Sequence, residues 1–312
     1  MVLEESTLAE FEVQFCAIAG KFYFYDNQIQ DNLLFQANET VKSMEFEGGA
    51  IKNLKYGSHI GERVAFHGVK AIEGGCWNFN KQDCSRLQFL SCDLSHAEFL
   101  GADLRDTRFD SCHWDQSGPY AQVYGHQKIL EDNKPEELEN LRSLYLRLKK
   151  NHDKDDEYAL SGDFHYQEMN LRRRLLSGKT GVKHQAEKAI LGLYKVVSDY
   201  GESPVRLVLS LFASFGATAL GLGVLKKLSR WEQVTQLSRT DLSQLMNHSF
   251  AEWPKNLELV LYGLAPSVLN KSVAEAAGKL NSPAKFLLLT EAIVGVTLIT
   301  LLIMAIRRRF KR

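Results

Sequence analysis

The chain has 312 residues with 38 basic and 38 acidic side chains, so its formal net charge is zero. That balance argues against bulk binding of nucleic acid, and the length predicts about two or three domains. Mean hydropathy is slightly negative, so apolar spans must be local, with a polar soluble part elsewhere. Cys16, Cys76, Cys84, Cys92 and Cys112 all precede the apolar region, and no C-x-x-C pair is present. A zinc site is therefore not expected. The acidic N-terminus MVLEESTLAE has no apolar core and reads as no secretory signal, so reduced cytoplasmic thiols are expected.

In chain order, Phe11, Val13, Phe15 and Ala17 alternate like one face of a strand. Phe22, Tyr23, Phe24, Tyr25, Phe35, Phe46 and Phe66 follow at irregular spacing, and Gly48-Gly49 and Gly74-Gly75 predict turns. No Gly-rich run precedes Lys-Ser or Lys-Thr, so no phosphate loop is read. Order then sharpens. Phe79, Cys84, Phe89, Leu94, Phe99, Leu104, Phe109 and Trp114 recur every fifth position. Two residues before the later ones stand Leu87, Cys92, Ala97, Ala102, Thr107 and Cys112. A period of five fits neither a helix nor a flat strand. It fits a square-sectioned β-helix with about five residues per side and about twenty per turn, its turns stacked about 4.8 Å apart. The large residue and the small one before it point inward, and the other three face water.

The run CDLSH-AEFLG-ADLRD-TRFDS resembles the pentapeptide-repeat proteins, whose motif is A-(D/N)-L-x-x. That resemblance implies a right-handed quadrilateral β-helix over 1–118, regular over 76–115. The regular part makes about two turns, and a solenoid needs about three or more units, so residues 1–75 are expected to add less regular turns. The cysteines are expected to fill small core slots. Some pentapeptide-repeat proteins mimic duplex DNA, but seven acids against four bases over 81–115 make a mixed surface.

Ser117-Gly118-Pro119 ends the repeats, and 119–200 reads as a cytoplasmic helical hairpin linker. Pro135 opens a helix with Leu138, Leu141, Leu144, Tyr145 and Leu148 on one face. Asp153–Asp156 predict a turn before a second helix through about Leu176, and 184–200 predicts a third. The stretch LYLRLKKNHDKDDEYALSGDFHYQEMNLRRR resembles the linker between pentapeptide repeats and a two-span membrane domain in bacterial proteins. Asp163, His165 and Glu168 invite a metal reading, yet only His165 and Glu168 share a face, so a polar helix face is preferred. Arg172–Arg174 read as an exposed helix end rather than a lipid contact.

The third segment, 201–312, carries two predicted spans, about 205–225 and 284–306. The second has thirteen Leu, Ile, Val or Phe from Phe286 to Ile306 and one acid, Glu291. These contribute roughly −6 kcal/mol to insertion against a cost of about 3 kcal/mol for one acid at the bilayer centre. Five cationic residues among the last six form a cytoplasmic stop. In the first span, Gly216 and Gly221 would let another helix approach closely. Lys226, Lys227 and Arg230 follow that span on the outer side, against the charge rule; the basic C-terminus and the signal-free N-terminal part outweigh them. Both termini are thus expected in the cytoplasm, at the inner membrane of a bacterium.

Between the spans, Asp241–Asn247 predict a short helix and Glu252-Trp253-Pro254 start another. The second is too short to cross, and reads equally as re-entrant or as lying at the lipid surface. The order span, short helix, loop, span resembles the pore domain of two-span potassium channels. That resemblance makes Glu291, Gly295, Tyr262, Gly263 and Pro266 the pore or gating candidates, and implies a tetramer. The Leu261-Tyr262-Gly263-Leu264-Ala265-Pro266 stretch departs from the T-x-G-Y-G filter, so potassium selectivity is not implied. No nucleophile elbow, H-E-x-x-H or P-loop is present, and no enzyme, cofactor or metal is expected. The first expectation is a channel-like homo-oligomer whose β-helix senses or binds a cytoplasmic protein. The second is a membrane-anchored scaffold that docks such a partner without conducting ions.

Overall fold

The computed structural model describes residues 2–14, 21–36, 43–57, 64–228, 253–264 and 282–310. Cys16, the predicted helix at Asp241–Asn247 and Pro266 lie outside them. The chain divides into two compact units, Met1–Gly192 and Leu193–Arg307.

The first unit begins as a β-solenoid. One parallel sheet stacks β1 (Val2–Glu4), β3 (Lys21–Tyr25), β5 (Ser43–Glu47), β7 (Val64–His67), β10 (Leu87–Leu90) and β12 (Arg108–Asp110). A second stacks β2 (Thr7–Gln14), β4 (Gln28–Gln36), β6 (Ala50–Tyr56), β9 (Trp77–Asn78) and β11 (Ala97–Glu98), with β8 (Lys70–Ala71) also on β6. Each turn brings the chain back in the same direction, hence the parallel pairing. In register, Phe24 lies on Phe46, Phe46 on Phe66, Phe66 on Phe89 and Phe89 on Phe109. Their rings stack 4.6, 4.8, 5.2 and 5.4 Å apart, within 8° of parallel. Such offset pairs each add about 0.5–1.5 kcal/mol to the burial of the rings.

The fifth-residue pattern is the inside of this solenoid. Every large pentad residue from Phe79 to Trp114 is buried, as are Leu87, Cys92, Ala97, Ala102, Thr107 and Cys112. The small slots also bond to the turn before. Cys92 Sγ donates to the Phe66 carbonyl at 3.2 Å, Cys112 Sγ to that of Phe89 at 3.2 Å, and Thr107 Oγ1 to that of Cys84 at 2.8 Å. Corners are set by aspartates. Asp83, Asp93, Asp103 and Asp115 each accept from the backbone N–H two residues on, at 2.9–3.1 Å. This is the turn that short Asx side chains favour. Burial pushes the Cys92 thiol up to about 11 and Cys112 up to about 12, and raises Cys84 further.

The earlier turns are wider. Strands β2, β4 and β6 have 8, 9 and 7 residues, and the pairing slips between Leu8 and Glu10 and between Ile29 and Asn32. Repeats there run 20 to 23 residues rather than a fixed twenty.

Helices α1 (His126–Asp132), α2 (Pro135–Lys154) and α3 (Tyr158–Leu176) close the last turn. As expected, α2 buries Leu138, Leu141, Leu144, Tyr145 and Leu148, and it also buries His152. Phe109 stacks on His152 at 5.8 Å and Trp114 meets Phe164 edge-on at 5.2 Å, so one apolar core runs from Phe24 to Leu171. A solenoid's final turn exposes backbone groups that another chain could pair with. Here Arg147 donates to the Ala102 carbonyl at 2.8 Å, Asn151 to that of Leu104 at 3.0 Å, and Glu157 accepts from Ser111 N–H at 3.0 Å.

The metal candidates separate. Asp163 accepts from Ala121 N–H, His165 Nδ1 faces Lys149, and Glu168 pairs with Arg142. No cluster of three metal-ligating side chains occurs among the described residues. Arg172 pairs with Glu187 at 2.6 Å, and Arg174 donates to the Leu130 carbonyl at 2.6 Å. Glu187 lies on α4 (Val182–Ser198), which leads to the second unit.

Three outcomes are expected. Phe89→Ala in the full chain in detergent lowers stability by about 3–5 kcal/mol, read from the denaturation midpoint. Maleimide at neutral pH leaves Cys84, Cys92 and Cys112 unlabelled in the native chain and labels them in urea, because only the thiolate reacts. His126 is buried, which lowers its imidazole from 6.5 to about 4. The unfolded chain therefore binds the extra proton between these values, and stability falls as pH drops through that window. His126→Asn flattens this part of the stability–pH curve.

Candidate functional site

The second unit contains α5 (Pro204–Leu228), α6 (Trp253–Leu264) and α7 (Ser282–Phe310). Two stretches, Pro204–Leu225 and Ser282–Arg307, are long and apolar enough to cross a membrane. Both leave large apolar side chains uncovered: Val205, Leu209 and Phe212 on α5, and Phe286, Leu289, Ile293, Val296, Ile303 and Met304 on α7. Patches of this extent suit lipid or a partner rather than water.

The helices α5 and α7 meet at two apolar clusters. Near the start of α5, Leu207 packs with Leu298 and Ala305. Toward its end, Phe215, Ala219 and Leu222 pack with Ala284 and Leu288 of α7 and with Val260 of α6. Early residues of one helix meet late residues of the other, so the pair is antiparallel.

Between the clusters lies Glu291, 5% exposed. Ser214 Oγ donates to Glu291 Oε1 at 3.0 Å, and Thr218 Oγ1 donates to Oε2 at 2.9 Å. Both hydroxyls belong to α5. Ser210, Ser214 and Thr218 form a row at i, i+4 and i+8, one face of a helix that is otherwise apolar from Leu207 to Leu225. The nine-residue step from Ser282 to Glu291 is about 13 Å along α7, well inside the span. An unpaired polar group there would cost several kcal/mol, so the carboxylate and the hydroxyls satisfy one another.

Helix α6 lies along the second half of α5. Asn256, fully buried, donates to the Ala219 carbonyl at 3.1 Å. A methyl added at Gly216 would stand 4.0 Å from Trp253 Cζ2. Gly216 is twelve residues after Pro204, about 18 Å along a span of about 33 Å, so α6 begins beside the middle of the span. Pro254 suits that position, since it has no N–H to leave unpaired at the first helical turn.

The other predicted residues are spread over these contacts. Gly221 faces α7, where an added methyl would stand 3.1 Å from Leu287 Cδ2. Gly295 is buried on α7 one turn after Glu291. Tyr262 and Gly263 belong to the last turn of α6, so their backbone is helical rather than an extended loop of carbonyls. Sequence reasoning missed Ser214, Thr218 and Asn256. The signal was available for two of them: a hydroxyl row in one span and a single acid in the other.

Interhelical hydrogen bonds inside membranes average about 0.6 kcal/mol and reach about 1.7. Glu291→Leu removes two and leaves the Thr218 hydroxyl without this acceptor, while Ser214 keeps the Leu211 carbonyl at 3.0 Å, so the detergent-solubilised chain is expected to lose about 1–3 kcal/mol. Glu291→Gln keeps an acceptor and loses less. The thermal midpoints of the two variants give the comparison.

Comparison with family models, with curated proteins and with solved structures returns no match, so the residues themselves carry the argument about function.

Proposed function

We propose that the chain is a membrane-anchored scaffold: α5 and α7 cross the inner membrane of a bacterium, both termini stay in the cytoplasm, and the β-solenoid docks a protein partner there. In this reading the solenoid is right-handed and four-sided, as the pentad spacing and the resemblance to pentapeptide-repeat proteins suggest. The reading rests on one observation above all. Both carboxylate oxygens of Glu291 are occupied by hydroxyls of the same chain. A helix pair that satisfies its own buried polar groups needs no further subunits around a wet axis. The docking surface would be the outer face of the first sheet, where Tyr25, Glu47, His67, Leu90 and Asp110 stand on successive turns. There Tyr23 and Tyr25 stack at 6.1 Å.

A second reading, a channel-like tetramer without potassium-type selectivity, is favoured by the depth at which α6 starts. A short helix packed beside the middle of a span is what a re-entrant segment requires. Ion flux in liposomes separates the two. The scaffold predicts that the purified full chain conducts no more than empty vesicles, and that Glu291→Ala changes nothing. Flux that Glu291→Ala abolishes would overturn the scaffold and establish the channel.

A further inference from the structure

We propose that α4 lies on the membrane surface, with its apolar stripe in the boundary between headgroups and acyl chains and its lysines on anionic headgroups. The proposal rests on the membrane reading of α5 and α7 and adds a third lipid contact to it. Val182, Ala186, Ala189, Ile190, Leu193 and Val196 recur at helical spacing, and all are exposed. Leu193 is 65% exposed and Val196 73%. In a helix surrounded by water, that stripe would have no reason to be apolar.

Charge and position identify the occupant as lipid. Lys183 borders the stripe on one side, and Lys188 lies on the other, both exposed. The acid of this helix, Glu187, is paired with Arg172 at 2.6 Å. A basic flank beside an apolar stripe is the pattern of a helix lying on an anionic bilayer. Against a second copy of the same helix, these lysines would repel.

The end of α4 is fixed to the start of α5. Ser210 Oγ donates to the Val197 carbonyl at 3.0 Å, Arg206 pairs with Asp199 at 2.9 Å, and Ser203 N–H donates to the Ser198 carbonyl at 3.1 Å. Ser210 stands six residues after Pro204, about 9 Å along α5. Surface helices seat their apolar face about 5–10 Å into this boundary. The last turn of α4 is thus held at the depth such a helix occupies, and the exposed Val205 and Leu209 of α5 continue the apolar surface.

The test places one fluorescent unnatural side chain at Leu193, at Lys188 or at Ile293 of the full chain, in phosphatidylcholine–phosphatidylglycerol liposomes. Brominated lipid and aqueous iodide serve as quenchers. The expected result is loss of Leu193 and Ile293 emission with bromolipid but not iodide, and loss of Lys188 emission with iodide. Omitting phosphatidylglycerol should weaken the Leu193 quenching and leave Ile293 unchanged; equal quenching in both lipids would overturn the role of the lysines. If Leu193 is quenched by iodide, or is shielded from both quenchers as under a protein or a second copy, while Ile293 is quenched by bromolipid, the surface helix is wrong and the spans stand. If Ile293 escapes bromolipid, both readings fall.

Discussion

The hydrocarbon interior of a bilayer tolerates apolar side chains and little else, and the second unit has two helices long and apolar enough to meet that constraint. α5 and α7 turn large apolar residues outward, Phe212 and Ile293 among them, and the exposed Thr290, Thr297 and Thr300 of α7 give their hydroxyls to carbonyls of their own helix. Glu291, Ser214 and Thr218 meet between the helices, and Asn256 of α6 finds the Ala219 carbonyl. A soluble core would have the reverse arrangement. One small residue follows from the same constraint: at Gly221 a methyl would crowd Leu287, so the glycine lets α7 come close, whereas Gly216 would hold a methyl in ordinary contact with Trp253.

The first unit meets a different requirement, that of a parallel stack with two ends. Its interior is held by ring on ring, from Phe24 to Phe109. At its C-terminal end the stack does not stop at Trp114, since His152 and Phe164 continue the aromatic column into α2 and α3. Arg147, Asn151 and Glu157 then occupy the backbone groups that another strand would take. The helical hairpin is therefore part of the solenoid's core.

Some of this was legible in the sequence, for local reasons. The five-residue period between Phe79 and Trp114 is short-range and repeats, so it gives both inside and outside. The apolar runs before Leu225 and Arg307 are likewise properties of single segments. The turns before Trp77 were less legible because their sides grow to seven, eight and nine residues, and no fixed period survives. The pairing of Glu291 with Thr218 joins positions 73 residues apart, and the docking of His152 on Phe109 depends on how α2 crosses the last turn. Neither follows from spacing, although the unusual residues themselves stood out. The Asx corners at Asp83, Asp93 and Asp103 lay in plain view within the repeat, and their role emerged with the bonds.

All of the functional reading depends on α5 and α7 residing in lipid. Alkaline carbonate extraction of membranes from cells expressing the full chain tests this most directly. The chain should remain in the membrane pellet and be released by detergent; recovery in the carbonate supernatant would contradict the account.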